Sequence, residues 1–199
     1  MKSKLLLAPL ALICAANVAV ANVKPEPQHG FIFAPKSRAV LCWIHENSNC
    51  GAVEYDPMSI EGPKGFPQSG PRDGKIASGD NSLFYKLNEQ SVDRWKKVPL
   101  TSGKNTFHWT LTQPHKTQKW EFFITKQDWN PNAPLTRASF DLKPFCERFD
   151  GGAYPDKDQL YFDCNVPQRT GYQVILGVWS IADTANAFYQ VVDVDMKAK

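Results

Sequence analysis

Charge of one sign is what this sequence lacks first. Its 23 Lys and Arg stand against 20 Asp and Glu, a formal net charge of +3. Lys2, Lys4, Lys24 and Glu26 precede His29, so 20 basic and 19 acidic residues remain from His29 onward, a net charge of +1. That near-balance leaves no electrostatic footprint for a nucleic acid or an anionic membrane, and neither partner is expected. Long apolar runs are missing as well. The apolar stretch 5–16 is short for a bilayer span, and polar, Pro-rich sequence follows it. Histidine is scarce, with four in all: His29, His45, His108 and His115. There is no Cys-x-x-Cys pair, which argues against a four-thiol zinc site. Nor is there sequence evidence of the carboxyl pair, about 5–9.5 Å apart across a cleft, that glycoside hydrolysis requires. No internal repeat, low-complexity tract or long helical period is visible.

What is present begins with a secretion signal. Lys2 and Lys4 supply a basic start, residues 5–16 an apolar middle, and Ala19-Val20-Ala21 a small-x-small cleavage site. Residues 1–21 therefore read as a signal peptide and the protein as secreted. Cleavage after Ala21 leaves residues 22–28 in front of His29, a possible extra pro-segment that a second protease would have to trim. Residues 29–199 amount to one domain, enough chain to bury a good core, and a monomer is expected.

Cys14 leaves with the signal, and Cys42, Cys50, Cys146 and Cys164 stay. An even number in an exported chain implies disulfides, with three connectivities open. The local pairs Cys42–Cys50 and Cys146–Cys164 are the preferred reading, each contributing roughly 2.5–3 kcal/mol by loop-closure entropy.

Periodicity reads as all-β. Residues 105–112 alternate, with Phe107, Trp109 and Leu111 on one face, and 119–126, 172–181 and 187–196 are rich in Val, Ile and aromatics. Short strands between frequent Pro and Gly predict an immunoglobulin- or fibronectin type III-like β-sandwich. A long loop insertion, about 53–80, is expected to contain short helical turns and to be ordered by Tyr55 and Phe66; a further turn is expected near 82–86.

His29 commands attention if it becomes the first residue. Its α-amine and ring then offer two nitrogen donors from one residue, and one more imidazole completes a T-shaped site that suits copper better than zinc or magnesium. Of the other histidines, His108 lies on the polar face of a strand and His45 inside a short cysteine loop. His115 follows Pro114 just beyond the 105–112 strand, a loop position that proline can hold rigid.

The sequence also resembles the bacterial chitin-active lytic polysaccharide monooxygenases, the chitin-binding proteins of auxiliary activity family 10. The resemblance rests on His29-Gly30, Ser37-Arg38-Ala39, Tyr55-Asp56-Pro57, Glu61-Gly62 and Lys64-Gly65-Phe66-Pro67-Gln68. It continues in Gly74-Lys75-Ile76-Ala77-Ser78, Phe123-Ile124-Thr125-Lys126, and the run from Pro134 to Asp141. Pro144-Phe145-Cys146 and the run from Trp179 to Gln190 complete it, in the family's order and spacing across essentially all of 29–199.

That resemblance implies a copper enzyme. His29 and His115 would be the metal ligands, the family's histidine brace. Phe188 would sit at the axial side of the metal, and Glu61 would lie beside it, able to hydrogen-bond an oxygen species or pass a proton. Gln113 stands where the family has a small alanine, and with Pro114 it departs from the pattern; Gln113 would either narrow solvent access to the copper or hydrogen-bond an axial water. Tyr55, Asp56, Pro57, Glu61, Thr112, His115, Asp183 and Asn186 would form a flat face for insoluble chitin, rather than cellulose. The implied cofactors are one copper ion per chain, an external electron donor, and hydrogen peroxide or dioxygen as co-substrate, with cleavage at C1 of the sugar. The competing expectation is a non-catalytic chitin-binding adhesin or scaffold of the same fold.

Overall fold

The computed structural model describes residues 29–199; the signal peptide, Cys14 and residues 22–28 lie outside the described residues. In chain order the strands are β1 (Gly30–Ala34), β2 (Glu61–Pro63), β3 (Val98–Thr101), β4 (Gly103–Leu111), β5 (Thr117–Ile124), β6 (Cys146–Ala153), β7 (Tyr161–Val166), β8 (Gly171–Ile181) and β9 (Asn186–Lys197), with one α-helix, α1 (Arg38–Trp43). One sheet has the order β1-β4-β7. The other runs β2-β9-β8-β5-β6, with β3 added in parallel to the far end of β9. The fold is the expected β-sandwich.

The apolar residues explain why the two sheets meet. Phe107, Trp109 and Leu111 of β4, with Ile32 of β1, face Trp120, Phe122, Ile175, Trp179, Phe188 and Val192 of the larger sheet. This core is built from aromatic rings; Trp120 and Trp179 stack in parallel with centroids 5.0 Å apart. Single stacked pairs of this kind add about 0.5–1.5 kcal/mol beyond area burial. The alternation read in 105–112 is thus the inward face of β4.

The larger sheet is covered on its outer face too. Phe123, Val174, Leu176, Val178, Tyr189 and Val191 pack against Val53, Ile60, Phe66, Ile76, Phe84, Leu87 and Trp95. Burial on both faces is why β8 and β9 read as near-continuous apolar runs. The 53–80 insertion is therefore a second layer, carrying 3-10 turns at Gly51–Glu54 and Ile76–Ser78 and contributing β2; a further 3-10 turn spans Ser82–Asn88. Phe66 anchors it, 1% exposed. Tyr55 does not: it is 84% exposed, and so was misread as an ordering residue.

Helix α1 was not anticipated. Ser37 caps it, and its buried Arg38 donates to both carboxylate oxygens of Asp193 at 2.6 and 2.8 Å. A pair this deep is strongly destabilising to break from one side, because an uncompensated charge is left inside. Along the outer edge of β9, β2 pairs with Asn186–Phe188, the Tyr189 N–H donates to the Ile60 carbonyl, Arg38 holds Asp193, and β3 pairs from Val194 onward.

Both expected disulfides form. Cys42–Cys50 ties α1 to the turn that follows, and Cys146–Cys164 joins β6 of one sheet to β7 of the other. Non-reducing peptide mapping should recover these two pairs and no free thiol; a peptide linking Cys42 to Cys146 or Cys164 would overturn the topology. Removing either pair by a double Cys→Ala change should lower unfolding free energy by about 2.5–3 kcal/mol, read by denaturant titration.

Candidate functional site

One end of the sandwich collects residues distant in sequence. His29 immediately precedes β1, whose start lies against the end of β4: Gly30 is opposite Leu111. A side chain at Gly30 would place its Cβ 2.3 Å from Leu111 Cδ2 and 3.2 Å from Trp179, so glycine lets the chain enter here without displacing Leu111. The Thr112 N–H and hydroxyl both donate to the His29 carbonyl, at 2.9 and 3.2 Å. Three residues on, His115 sits in the loop that crosses from β4 in one sheet to β5 in the other.

His115 is held by its neighbours. Trp179 Nε1 donates to Thr117 Oγ1 at 2.8 Å, and that hydroxyl donates to the His115 carbonyl at 3.1 Å. The His115 ring lies edge-on to Trp179, with centroids 5.6 Å apart, and 5.8 Å from Phe188. Phe188 is fully buried, stacked on Trp179 at 4.8 Å. The ring packed beside His115 is thus rigid and apolar.

Glu61 reaches the same end because β2 pairs with β9, opposite Phe188. Its Oε1 accepts from Asn186 Nδ2 at 2.9 Å. The next residue must be glycine: a Cβ on Gly62 would lie 1.7 Å from the Gly79 carbonyl oxygen. Lys64 Nζ donates to the carbonyls of Ile181 and Thr184, which ties the β8–β9 turn bearing Asp183 to this strand. Buried Tyr189 donates to the Pro63 carbonyl, and desolvation, its largest influence, pushes the phenol pKa upward, keeping it a neutral donor.

The other expected residues divide. Tyr55, Thr112, Gln113 and Asp183 are exposed; Asp56 is half-buried. Pro57 is buried, its carbonyl accepting from Gln190 Nε2 at 3.0 Å, so it lies beneath the surface and not on it. His108 is elsewhere, stacked on Tyr161 at 4.2 Å, its pKa lowered by desolvation. His45 is exposed, in a left-handed turn with φ 60°.

Two residues here escaped sequence reasoning. Ser59 accepts from or donates to His29 Nε2 at 3.0 Å and donates to Asp56 Oδ1 at 2.7 Å. Thr117, fully buried, supports His115. Ser59 stands between two quoted motifs, and no local pattern marks it. Thr117 carries no sequence mark either, since its meaning lies in its burial and in its bond from Trp179.

The donor set accommodates a metal. With Ser59 on Nε2, the Nδ1 of His29 remains as a donor, and His115, three residues beyond the Thr112 that holds the His29 carbonyl, supplies a second ring. Among the described residues no group of three or more His, Cys, Asp or Glu is placed to hold a metal ion. Hollows of about 510 Å³ beside Lys104, Asp163 and Asn165 and about 370 Å³ beside Arg148 and Tyr154 are lined by neither histidine.

The fold is a β-sandwich with His29, His115, Glu61 and Asn186 at one end. Residues 29–194 match the family model described as "Lytic polysaccharide mono-oxygenase, cellulose-degrading", and the chain belongs to that family. It is 51% identical over 176 residues to GlcNAc-binding protein A of Vibrio vulnificus, covering 83% of this chain and 36% of that protein. The chain thus spans about a third of the length of the curated relatives it matches. Among solved structures it is similar to an AA10 LPMO from Photorhabdus luminescens, with TM-score 0.83 and 47% identity, over 86% of this chain and all of that one. A Bacillus amyloliquefaciens CBM33 in complex with Cu(I) after photoreduction gives TM-score 0.78 and 42% identity, over 85% of this chain and all of that one.

Proposed function

We propose that the protein is secreted, begins at His29 after trimming, and cleaves insoluble chitin oxidatively at C1 with one bound copper ion. The observation that carries this is the gathering of His29, His115, Glu61 and Phe188 at one end, from four separate parts of the chain. The relatives' names, a GlcNAc-binding protein and a Cu(I) complex, support chitin and copper. His29, through amine and ring, and His115, through its ring, would hold the metal.

Bound copper supplies one-electron chemistry, drawing on an external electron donor and on hydrogen peroxide or dioxygen. The chain's own part is positioning. Phe188 keeps one side of the site apolar and closed to water. Glu61, fixed by Asn186, presents a carboxylate that can orient or carry a proton at its free oxygen. Gln113, exposed two residues before His115, narrows the approach. Tyr55 offers a ring for a sugar to stack on, while Asp183, Asn186 and Thr112 offer polar groups for hydroxyls and acetamides. Hydroxylation at C1 breaks the chain and leaves a lactone, which hydrates to an aldonic acid. The protein works as a monomer, since a crystalline polymer supplies the second surface.

A second reading is a chitin-binding adhesin without turnover, favoured by the cleavage site at Ala21, which leaves His29 inside the chain. The test is to incubate the copper-loaded protein beginning at His29 with chitin and a reductant. Mass spectrometry should detect oligosaccharides with oxidised ends. Adsorption without such ends would replace the enzyme reading with the adhesin reading. Tyr55→Ala should lower chitin affinity a few-fold, on the order of 1 kcal/mol for one aromatic contact, with copper stoichiometry unchanged. Equal adsorption by the variant would remove Tyr55 from the face.

A further inference from the structure

The contacts of His29 can be resolved by counting protons. Ser59 Oγ lies 2.7 Å from Asp56 Oδ1 and 3.0 Å from His29 Nε2. A carboxylate only accepts, so the single hydroxyl proton of Ser59 goes to Asp56. Toward His29, Ser59 then presents lone pairs, and Nε2 must supply the hydrogen. A neutral imidazole protonated at Nε2 has its lone pair at Nδ1.

Nδ1 is the ring nitrogen nearer the residue's own main-chain nitrogen. A metal held by that pair closes a compact chelate ring; Nε2 points the other way. The wrong tautomer would leave Nδ1 carrying a proton that must be displaced first. Resting on the copper reading, we propose that Asp56 and Ser59 are positioning residues that hold His29 in its Nε2–H tautomer and aim Nδ1 for the metal. Asp56 therefore acts through Ser59 on His29, a role separate from contact with the polysaccharide.

The relay is built on anchored backbone. The Asp56 N–H donates to the Ala52 carbonyl at 3.2 Å. Fully buried Gln190 grips the Pro57 carbonyl. The Gly30 N–H donates to the Met58 carbonyl at 3.2 Å, joining the residue after His29 to the residue before Ser59. Below the turn, the Tyr189 N–H holds the Ile60 carbonyl at 2.9 Å. Ser59 thus stays at one place relative to His29, as an orienting partner must. Carboxylates that orient metal-binding histidines typically change metal affinity 10–100-fold when lost; here a hydroxyl stands between the two.

The experiment uses the protein beginning at His29 and two readouts. Nitrogen-15 NMR of the metal-free protein should show His29 protonated at Nε2 and bare at Nδ1. Ser59→Ala and Asp56→Ala should each mix the tautomers and raise the copper dissociation constant about tenfold or more. Ser59→Thr, which keeps the hydroxyl, should restore both values. A His29 protonated at Nδ1 in the unmutated protein overturns the relay. So does an Asp56→Ala protein that loses chitin adsorption while its tautomer and copper affinity stay unchanged. If the unmutated protein binds no copper yet Ser59→Ala still scrambles the His29 tautomer, the relay stands and the copper reading falls.

Discussion

Replacing His115 with alanine is expected to abolish tight copper binding and, with it, nearly all oxidised product. Loss of an outer hydrogen-bond partner alone costs about 10–100-fold in metal affinity; loss of one of three nitrogen ligands should cost more. The fold should survive. His115 is half-exposed on a loop, and what anchors that loop is its carbonyl, held by Thr117, which alanine retains. Chitin adsorption should fall only slightly, because the rest of the face is intact. The other histidines serve as controls. His108→Ala changes a ring stacked on Tyr161, and His45→Ala an exposed turn; neither should alter copper stoichiometry. Titration calorimetry and the Cu(II) resonance spectrum read the result. Silence at His115 with loss at His108 would mean that the wrong histidine had been assigned.

Keeping residues 22–28 in front of His29 should have an effect of the same order by a different route. A peptide bond converts the α-amine into an amide, which is a poor ligand at neutral pH, so the two-nitrogen grip of His29 becomes one. The extended protein should adsorb to chitin as well as the trimmed one, since Tyr55, Asp183 and Asn186 are unaffected. It should release no oxidised ends. Intact mass of the secreted protein, set beside activity, decides the matter. Full activity from a protein shown to begin at Asn22 would remove the amine from the proposed ligand set.

How far the sequence could be read depended on whether a residue's partner was near or far along the chain. The alternation in β4 was plain, because one of its faces is core and the other is not. The apolar runs of β8 and β9 were plain as strands, yet their burial on both faces was not, since that needs the 53–80 layer in place. Helix α1 gave no helical stripe: Arg38 to Cys42 are all buried, and Arg38 is tolerable inside only because Asp193 meets it. Strand β7 was missed although Phe162, Cys164 and Val166 alternate cleanly inward. The same limit governs the site. His29, His115 and Glu61 were singled out through the family pattern, and the fold brings them to one end; Ser59 was not, because its meaning lies in Asp56 and His29 together. Pro57 was taken for a surface contact, and its burial under Gln190 depends on a residue far down the chain.

The covered edge of β9 bears on the proposed setting, an insoluble polymer. A bare strand edge is a template for another chain, and local concentration on an insoluble polymer can far exceed that in solution. Here β2 and the Ile60 carbonyl pair with one end of that edge and β3 with the other, which leaves only the short span between them, where Arg38 grips the Asp193 side chain, for a neighbouring copy to meet. On the proposed substrate, molecules packed side by side are therefore expected to stay separate, without strand-to-strand pairing between copies.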